Sequence, residues 1–281
     1  MIQVRDTPLV KLEKLSKELN KNIYGKIETG NPTGSHKDRE SFEAVTEAVN
    51  KGYDGIGCAS TGNAAISISA YAYAAGLKCH IYVSDSISPE KMALIQMFKP
   101  EIHLVKGDFD DAYDSSCEGI EKLNLFSFNP GQCQAKLRGN AAIGREIAKE
   151  ISPKYVVCPT NNGTHFTGVW MGLREVDAMS RMVAATTMNT RVADSISGYH
   201  RREGEAFLKA LKESRAIIVD VSDEDIRRAV QTLFREGIFP EPAAAASVAA
   251  IRHLKCSKDD LICCTVTGSA LKFPRIVGEL L

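Results

Sequence analysis

The strongest constraint on the fold is the regular alternation of short apolar runs with longer amphipathic segments. Residues 54–60 and 78–84 predict strands, and the segment 63–75 between them predicts a helix. The second half of the chain repeats this scheme, and residues 222–237 form its clearest helical pattern, with Ser222 as the cap. Strands separated by helices form βαβ units. We therefore predict a layered α/β fold, with parallel sheets flanked by helices on both faces.

Composition and charge disfavour several classes of function. The 281 residues are 44% hydrophobic and 25% charged, which is ordinary for a globular protein. Lysine plus arginine and aspartate plus glutamate number 35 each, so the zero net charge gives no indication of nucleic-acid or membrane binding. No apolar run reaches the roughly 18 residues of a spanning helix, and the first residues lack the apolar stretch of a signal peptide. We expect a cytoplasmic protein.

The cysteines and histidines form no local metal-binding motif. Eight cysteines are scattered without a C-x-x-C spacing, and several lie in apolar runs such as YVVCPT, where cysteine behaves as a small buried hydrophobe. The six histidines form no H-E-x-x-H pattern. His80 and His103 lie within predicted strands, and we interpret them as core residues. We predict reduced thiols and no metal.

The stretch ETGNPTGSHKDRE, residues 28–40, places Lys37 at a predicted helix start. Ser35 and Asp38 have the S-x-x-D spacing of a capping box. A lysine in the first turn meets the positive end of the helix dipole, which lowers its pKa below the ~10.4 of a free lysine. A deprotonated amine is what Schiff-base chemistry requires. A solvated surface lysine explains the same residues, so the local pattern leaves both interpretations open.

Three further polar turns follow predicted strands, where open α/β sheets bind ligands. The turn in residues 59–65 can hold an anion or a carboxylate at a helix start, although ordinary capping explains it equally well. The turn in residues 159–168 can hold a phosphate on backbone N–H groups, because its glycine and asparagines tolerate positive φ. The turn in residues 265–272 presents hydroxyls after the last strand. Neither G-x-G-x-x-G nor the P-loop pattern fits the chain.

Taken in order, these segments resemble the fold-type-II pyridoxal-phosphate enzymes, and within them threonine synthase most closely. The family patterns N-P-T-G-S-F-K-D-R and S-T-G-N appear as NPTGSHKDR and STGN. The patterns E-P-A-S-A-A and T-G-H-G-L-K appear as EPAAAA and TGSALK, and the opening DTPLVKL matches the family's T-P-L-V. The resemblance covers nearly the whole chain, and it favours a reactive Lys37 over a solvated one.

The resemblance implies pyridoxal 5'-phosphate as the cofactor and assigns a role to each motif. Lys37 would form the covalent link with the cofactor and then act as catalytic base and acid at the substrate's carbon atoms. Asn63 would hydrogen-bond the ring hydroxyl, and Thr267 would face the pyridine nitrogen. The cofactor phosphate would be held by Asn161, Asn162, Gly163, Thr164 and His165. The substrate's α-carboxylate would be held by Ser60, Thr61 and Gly62.

Departures from the family pattern concern mainly the substrate. His36 replaces the family's aromatic residue before the lysine, and it is interpreted either as packing or as an added acid–base group. The family's N-P-x-R, whose arginine helps to grip the substrate phosphate, is absent from FNPGQCQAKLRG, and Ser269 replaces the histidine of T-G-H-G-L-K. The candidates for a second anion site, for the substrate phosphate, are Ser127, Asn129, Lys136 and Arg138.

The resemblance implies a lyase that converts O-phospho-L-homoserine and water into L-threonine and phosphate. A threonine or serine dehydratase, or a β-replacement enzyme such as cysteate synthase, stays open, because these residues do not decide the leaving group. A non-catalytic binding protein is disfavoured by the joint presence of Lys37, Asn63 and Thr267.

Chain order and resemblance together predict two lobes with the cofactor between them. Residues 1–40 and 139–281 would form a large PLP-binding domain, and residues 41–138 a small domain. A homodimer acting on a small amino-acid substrate is expected from the resemblance.

Overall fold

The structure is a computed structural model that describes residues 2–197, 202–273 and 278. Its helices and strands alternate along the chain, which confirms the predicted α/β class. The first half contains β1 (Leu9–Lys11), α1 (Glu13–Leu19), β2 (Asn22–Ile27), α2 (Lys37–Asn50), β3 (Gly55–Ala59), α3 (Asn63–Ala75), β4 (Lys78–Ser84), α4 (Pro89–Gln96), β5 (Glu101–Val105), α5 (Phe109–Lys122) and β6 (Phe126–Ser127). The second half contains α6 (Gln134–Glu150), β7 (Tyr155–Pro159), α7 (Thr164–Glu175), β8 (Arg181–Thr186), α8 (Gly204–Glu213), β9 (Ile217–Asp220), α9 (Asp223–Arg235), α10 (Pro242–Ile251) and β10 (Leu261–Val266).

The chain divides into two compact units. The smaller unit comprises Met1–Arg5 and Lys37–Gly139, and the larger unit comprises Asp6–His36 and Asn140–Leu281. The chain therefore returns to the smaller unit at Lys37, the first residue of α2. The final residues of the predicted large domain, 274–277 and 279–281, lie outside the described residues. That the larger unit is the cofactor-binding domain stays a prediction.

The smaller unit is built on a four-stranded parallel sheet with the strand order β5-β4-β3-β6. Its central strand β3 is buried along its whole length, and α5 contributes Ala112 and Tyr113 to a cluster that packs against it. Parallel strands end at the same edge of a sheet, so the turn after β3 lies at the edge where ligands of such sheets bind.

The larger unit is built on a six-stranded sheet with the order β1-β2-β10-β7-β8-β9. Only β1 runs antiparallel to its neighbour among these described pairs. Helix α10 is buried at every residue from Pro242 to Ile251, because its alanines allow close packing in the core. None of the helices in the described residues combines the length and apolar character that crossing a membrane requires.

Local signals in the sequence set several element ends correctly. Helix α3 ends where Gly76 takes a left-handed conformation with φ 73°, and Ser222 caps α9 through a reciprocal capping box with Asp225. The predicted capping box of Ser35 and Asp38 is wrong. The buried Ser35 hydroxyl has no hydrogen-bond partner among the described residues, and the Asp38 carboxylate accepts a hydrogen bond from Ser67.

Candidate active site

Lys37 is the first residue of α2, and its amine is held rather than solvated. Its Nζ donates a hydrogen bond to Glu40 Oε1 over 2.7 Å, one helical turn further on. The Lys37 side chain is 21% exposed, whereas Glu40 is fully buried. The structure therefore favours the interpretation of Lys37 as a positioned amine.

A second amine shares the Glu40 carboxylate. Lys136 Nζ lies 3.1 Å from Glu40 Oε2, donates a hydrogen bond to the Phe128 carbonyl over 3.1 Å, and sits 3.9 Å from the centre of the Phe128 ring. Burial disfavours the charged form of Lys136, but the attraction of Glu40 outweighs it and raises the pKa of Lys136 above its usual 10.5. Lys136 is thus a buried cation with its own counter-ion.

Arg138, the other cation proposed for the substrate phosphate, is also paired with carboxylates. Its guanidinium lies 3.6 Å from Glu43 and hydrogen-bonds to Glu47, and about half of its side chain is exposed. These contacts place Arg138 along α2 rather than with Lys37 and Glu40. Phosphate binding by Lys136 or Arg138 stays a prediction, and it requires each cation to exchange a carboxylate for the phosphate.

The turn after β3 leaves open space at the start of α3. Gly62 occupies the N-cap position, no side chain caps the helix, and a Cβ added at Gly62 would meet nothing within 4 Å. Ser60 supports the turn, since its hydroxyl accepts a hydrogen bond from the Gly62 N–H over 3.2 Å. A helix start of this kind attracts anions through its N–H groups and its dipole. The residues predicted to bind the α-carboxylate, together with Asn63, therefore lie in one turn that fits this ligand.

Asn129 is buried and holds the end of β3 in place beside this turn. Its side-chain oxygen accepts a hydrogen bond from the Ala59 N–H over 2.9 Å, and its side-chain nitrogen donates to Ser116 over 2.7 Å. Ser127 donates its hydroxyl to Gln132 over 2.8 Å. These contacts give Asn129 a clear positioning role, and direct binding of a substrate phosphate by either residue stays a prediction.

In the larger unit, the turn after β7 has the features of a phosphate-binding loop. Gly163 has φ 91°, and a Cβ there would come within 2.6 Å of the Phe207 ring, so only glycine fits. Helix α7 starts directly after Gly163 without a side-chain cap, and the buried Asn162 side-chain oxygen has no hydrogen-bond partner among the described residues. Because an amide flip exchanges this oxygen for a donor, Asn162 suits an anion as well.

Side chains on both sides of this loop fix its shape. Asn161 donates to the carbonyls of Ser195 and Ser197, each over 3.3 Å. The Thr164 hydroxyl donates to the buried Glu203 over 2.6 Å, and the Glu203 N–H donates to the Asn162 carbonyl. The Asn161 and Thr164 side chains thus have partners within the protein, and phosphate binding by this loop stays a prediction. Glu203 was not foreseen, since nothing in the sequence relates it to this loop.

The ring of His165 is held inside the larger unit. Its Nδ1 lies 2.8 Å from Asn140 Oδ1, its Nε2 lies 2.9 Å from Thr265 Oγ1, and His36 packs against it edge-on at 4.7 Å between ring centres. Both ring nitrogens thus have partners within the protein, and phosphate binding by the His165 backbone stays a prediction. These contacts favour the packing interpretation of His36.

Thr267 follows β10 and is buried. Its carbonyl accepts a hydrogen bond from the His36 N–H over 2.9 Å, whereas its hydroxyl takes part in no hydrogen bond among the described residues. This hydroxyl is thus available to a cofactor atom. Ser269, which replaces the family's histidine, accepts a hydrogen bond from the Leu271 N–H.

Thiols near the Lys37–Glu40–Lys136 cluster are not alternative nucleophiles. Burial raises the pKa of the Cys58 thiol to about 12 and that of the Cys133 thiol to about 11. Both groups are therefore protonated at neutral pH, and a thiol attacks only as the thiolate. All eight cysteines are free.

The smaller unit offers a positioned amine, and the larger unit offers a glycine turn at an uncapped helix start. Each suits one part of an aldehyde cofactor that carries a phosphate. A family model described as "Pyridoxal-phosphate dependent enzyme" matches residues 1–268. The chain belongs to this family of enzymes, and pyridoxal 5'-phosphate is its cofactor.

Within this family the chain is similar to threonine synthases from bacteria and archaea. It is 33% identical to that of Halalkalibacterium halodurans, over 96% of this chain and 83% of that protein. It is 33% identical to that of Methanocaldococcus jannaschii, over 95% of this chain and 75% of that protein. It is 31% identical to that of Methanosarcina acetivorans, over 99% of this chain and 78% of that protein.

Solved structures with other activities share the fold. Threonine deaminase isoform 2 from Solanum lycopersicum has a TM-score of 0.84 at 21% identity, over 98% of this chain and 83% of that one. Maize serine racemase has a TM-score of 0.85 at 15% identity, over 98% of this chain and 92% of that one. At such identities the likeness concerns the fold alone.

Proposed function

We propose that this chain is a threonine synthase-like lyase that converts O-phospho-L-homoserine and water into L-threonine and phosphate. The observation that carries the proposal is the similarity to threonine synthases along most of both chains. Pyridoxal phosphate, when bound, withdraws electrons from the amino-acid carbons of the substrate and makes their protons acidic. The chain's own residues would bind the anions and move the protons.

Lys37 is proposed to hold the cofactor covalently and to carry protons to and from the substrate's carbon atoms. Its amine reaches these atoms by leaving Glu40, whose other oxygen stays 3.1 Å from Lys136. The buried carboxylate therefore keeps a counter-ion whichever way Lys37 turns. Because a buried charge without a partner is strongly disfavoured, Lys136 makes it possible for Lys37 to leave Glu40.

The remaining roles are those that the resemblance to the family implies, and the chemistry of each turn is compatible with them. Residues 60–62 are proposed to bind the substrate's α-carboxylate, and the backbone of residues 161–165 to bind the cofactor phosphate. Asn63 is proposed to hydrogen-bond the ring hydroxyl of the cofactor. Thr267 is proposed to face the pyridine nitrogen, where a hydroxyl, unlike a carboxylate, leaves this nitrogen largely unprotonated.

A threonine or serine dehydratase is the second candidate, and one observation favours it. Arg138, the only arginine in residues 126–139, lies against Glu43 and Glu47, and Lys136 lies against Glu40. A bidentate guanidinium is the best protein ligand for a phosphate. Threonine and serine carry no phosphate and need no second anion site.

The substrate is tested on the purified, cofactor-loaded enzyme. We would offer O-phospho-L-homoserine, L-threonine, L-serine and O-phospho-L-serine, and follow phosphate, threonine and oxo-acid formation. Equal amounts of phosphate and threonine from the first substrate are expected. Deamination of threonine or serine without turnover of phosphohomoserine would refute the proposal and identify the enzyme as a dehydratase.

Arg138→Gln then tests the second anion site. If Arg138 binds the substrate phosphate, KM for phosphohomoserine should rise roughly tenfold, since a charge-assisted hydrogen bond contributes about 1.5–3 kcal/mol. Arg145→Gln is the matched control, because Arg145 is paired with Glu175 and its side chain is 44% exposed, against 47% for Arg138. Equal KM values in the two variants would exclude Arg138. A homodimer, proposed on likeness alone, is tested by sedimentation.

A further inference from the structure

Two neighbouring strands of the smaller unit bring a second group of chemically active side chains together. In the parallel pair β4–β5, His80 lies opposite Glu101, and Tyr82 lies opposite His103. Side chains two residues apart on a strand point to the same face of the sheet, so all four share one face. None of them belongs to the cofactor site proposed above.

The two imidazoles and the carboxylate form a compact triangle. His80 Nδ1 lies 3.1 Å from His103 Nε2, and the Glu101 oxygens lie 3.7 Å from His80 Nδ1 and 3.6 Å from His103 Nε2. A tetrahedral zinc ion with bonds of about 2.0–2.1 Å places its ligand atoms about 3.3 Å apart. The two nitrogens are therefore spaced as the ligands of one small ion, and one Glu101 oxygen lies within 4.8 Å of both of them.

We propose that His80, Glu101 and His103 form a binding site for a divalent transition-metal ion, with Zn²⁺ as the ion that best fits two imidazoles and a carboxylate. Three protein ligands leave a fourth position for water. The ion would join β5, which is the edge strand of the described sheet, to its neighbour β4. Its expected effect is to stabilise the smaller unit.

The two histidines are already oriented for this role. The Tyr82 ring stacks on His103, with 4.3 Å between ring centres and 10° between planes. Tyr82 is itself buried and packs against α5. The contact is so close that a Cβ added at Gly119 of α5 would collide with the Tyr82 hydroxyl. His80 is also buried, whereas the Glu101 side chain is 65% exposed. An ion can therefore enter from solvent on the Glu101 side, and ordering Glu101 is the main adjustment that binding requires.

Without a metal, the same geometry is a hydrogen bond between the two imidazoles. A metal site and a simple hydrogen bond are distinguished by adding Co²⁺ or Zn²⁺ to the cofactor-loaded protein after chelator treatment and desalting. We expect one Zn²⁺ per chain in competition with a chromophoric chelator, and a visible Co²⁺ spectrum of tetrahedral type. The melting temperature should rise with Zn²⁺ concentration.

His103→Asn and Glu101→Gln are the test variants, because changing the buried His80 endangers folding. Each should weaken Zn²⁺ binding by at least about tenfold, since loss of even an outer-shell partner lowers metal affinity about 10- to 100-fold. The matched control is His253→Asn, which removes a histidine that is paired with one carboxylate, Asp225 at 3.1 Å, and belongs to no potential metal-binding group among the described residues. Zn²⁺ binding that is unchanged in both test variants, or absent from the wild type at millimolar Zn²⁺, would overturn the proposal. So would a Co²⁺ spectrum with thiolate charge-transfer bands that both variants retain.

Discussion

Lys37 Nζ and Glu40 Oε1 lie 2.7 Å apart across the first turn of α2, and this carboxylate is fully buried. Two charges three residues apart on a helix face one another, so the pair itself follows from the sequence. The burial of the Glu40 carboxylate does not follow from the sequence. It depends on Lys136, which supplies a second positive charge 3.1 Å from the same carboxylate. The cluster predicts different outcomes for the removal of each member.

Lys37→Ala should abolish turnover and covalent cofactor attachment while leaving the fold intact. Glu40 keeps Lys136 as a partner, so the free energy of unfolding should fall by only about 1 kcal/mol. Borohydride reduction followed by peptide mass spectrometry locates the cofactor in the wild type. Lys51→Ala, which removes the exposed partner of Glu47, is the control and should keep full activity. Cofactor found on any other lysine would refute the assignment.

Glu40→Gln should lower the free energy of unfolding by about 3–5 kcal/mol, because it removes the carboxylate that faces the buried Lys136 ammonium. Lys136→Met should lower it less, because Glu40 keeps Lys37 as a partner at 2.7 Å. The double variant Glu40→Gln with Lys136→Met removes both charges and should be more stable than Glu40→Gln alone. Chemical denaturation of the four proteins gives the coupling energy of the pair. Additive effects of the two changes would show that Glu40 and Lys136 do not depend on each other.

Gly62→Ala should impair substrate binding without affecting stability. The added methyl group meets no protein atom within 4 Å, but it enters the space in front of α3 where the α-carboxylate is proposed to bind. We expect KM for the amino-acid substrate to rise severalfold and the melting temperature to stay within a few degrees. Gly30→Ala is the control, since a Cβ there would make only one ordinary contact, to Pro8 at 3.8 Å. Equal KM values in the two variants would place the carboxylate elsewhere.

Gly163→Ala should weaken cofactor binding. The same substitution at Gly237 is the control for backbone strain. Gly163 and Gly237 both have positive φ, 91° and 79°, so alanine is strained at either position. A Cβ at Gly237 meets nothing within 4 Å, whereas one at Gly163 would come within 2.6 Å of Phe207 and displace the loop. Cofactor titration, followed by absorbance, should show a higher Kd for Gly163→Ala only. Similar Kd values would mean that this loop does not bind the phosphate.

Asp225→Asn should destabilise the protein near neutral pH but not in acid. Burial alone would raise the pKa of Asp225, but hydrogen bonds from Ser222 and the nearby His253 outweigh this effect and hold the pKa below its usual 3.8. Because the folded-state pKa is the lower one, the stabilisation is present above pH 3.8 and is lost as the pH falls through the folded value. The variant should lose about 1 kcal/mol at pH 7, as helix caps do.

Denaturation at several pH values measures this difference. Asp114→Asn, on an exposed position of α5, serves as the control and should behave like the wild type throughout. A gap between wild type and Asp225→Asn that persists unchanged in acid would contradict the assigned pKa.

The sequence by itself determined the features that depend on neighbours in the chain. The period of the apolar residues and the glycine after it specify α3 up to Gly76, and Ser222 with Asp225 specifies the start of α9. The alternation of strands and helices was likewise sufficient to indicate the α/β class, and the resemblance of the motifs around Lys37 to a known family indicated the cofactor. These signals act over a few residues, where backbone preference and capping dominate.

Only the tertiary structure decided which partner each polar side chain takes. Asp38 is spaced to cap α2 with Ser35, yet its carboxylate accepts the hydroxyl of Ser67, which lies 29 residues away. His80 and His103 are separated by 23 residues, and only the pairing of two strands brings their nitrogens within 3.1 Å. A buried polar group must find a partner wherever packing provides one, so these contacts are fixed by the packing of helices and strands and not by spacing along the chain.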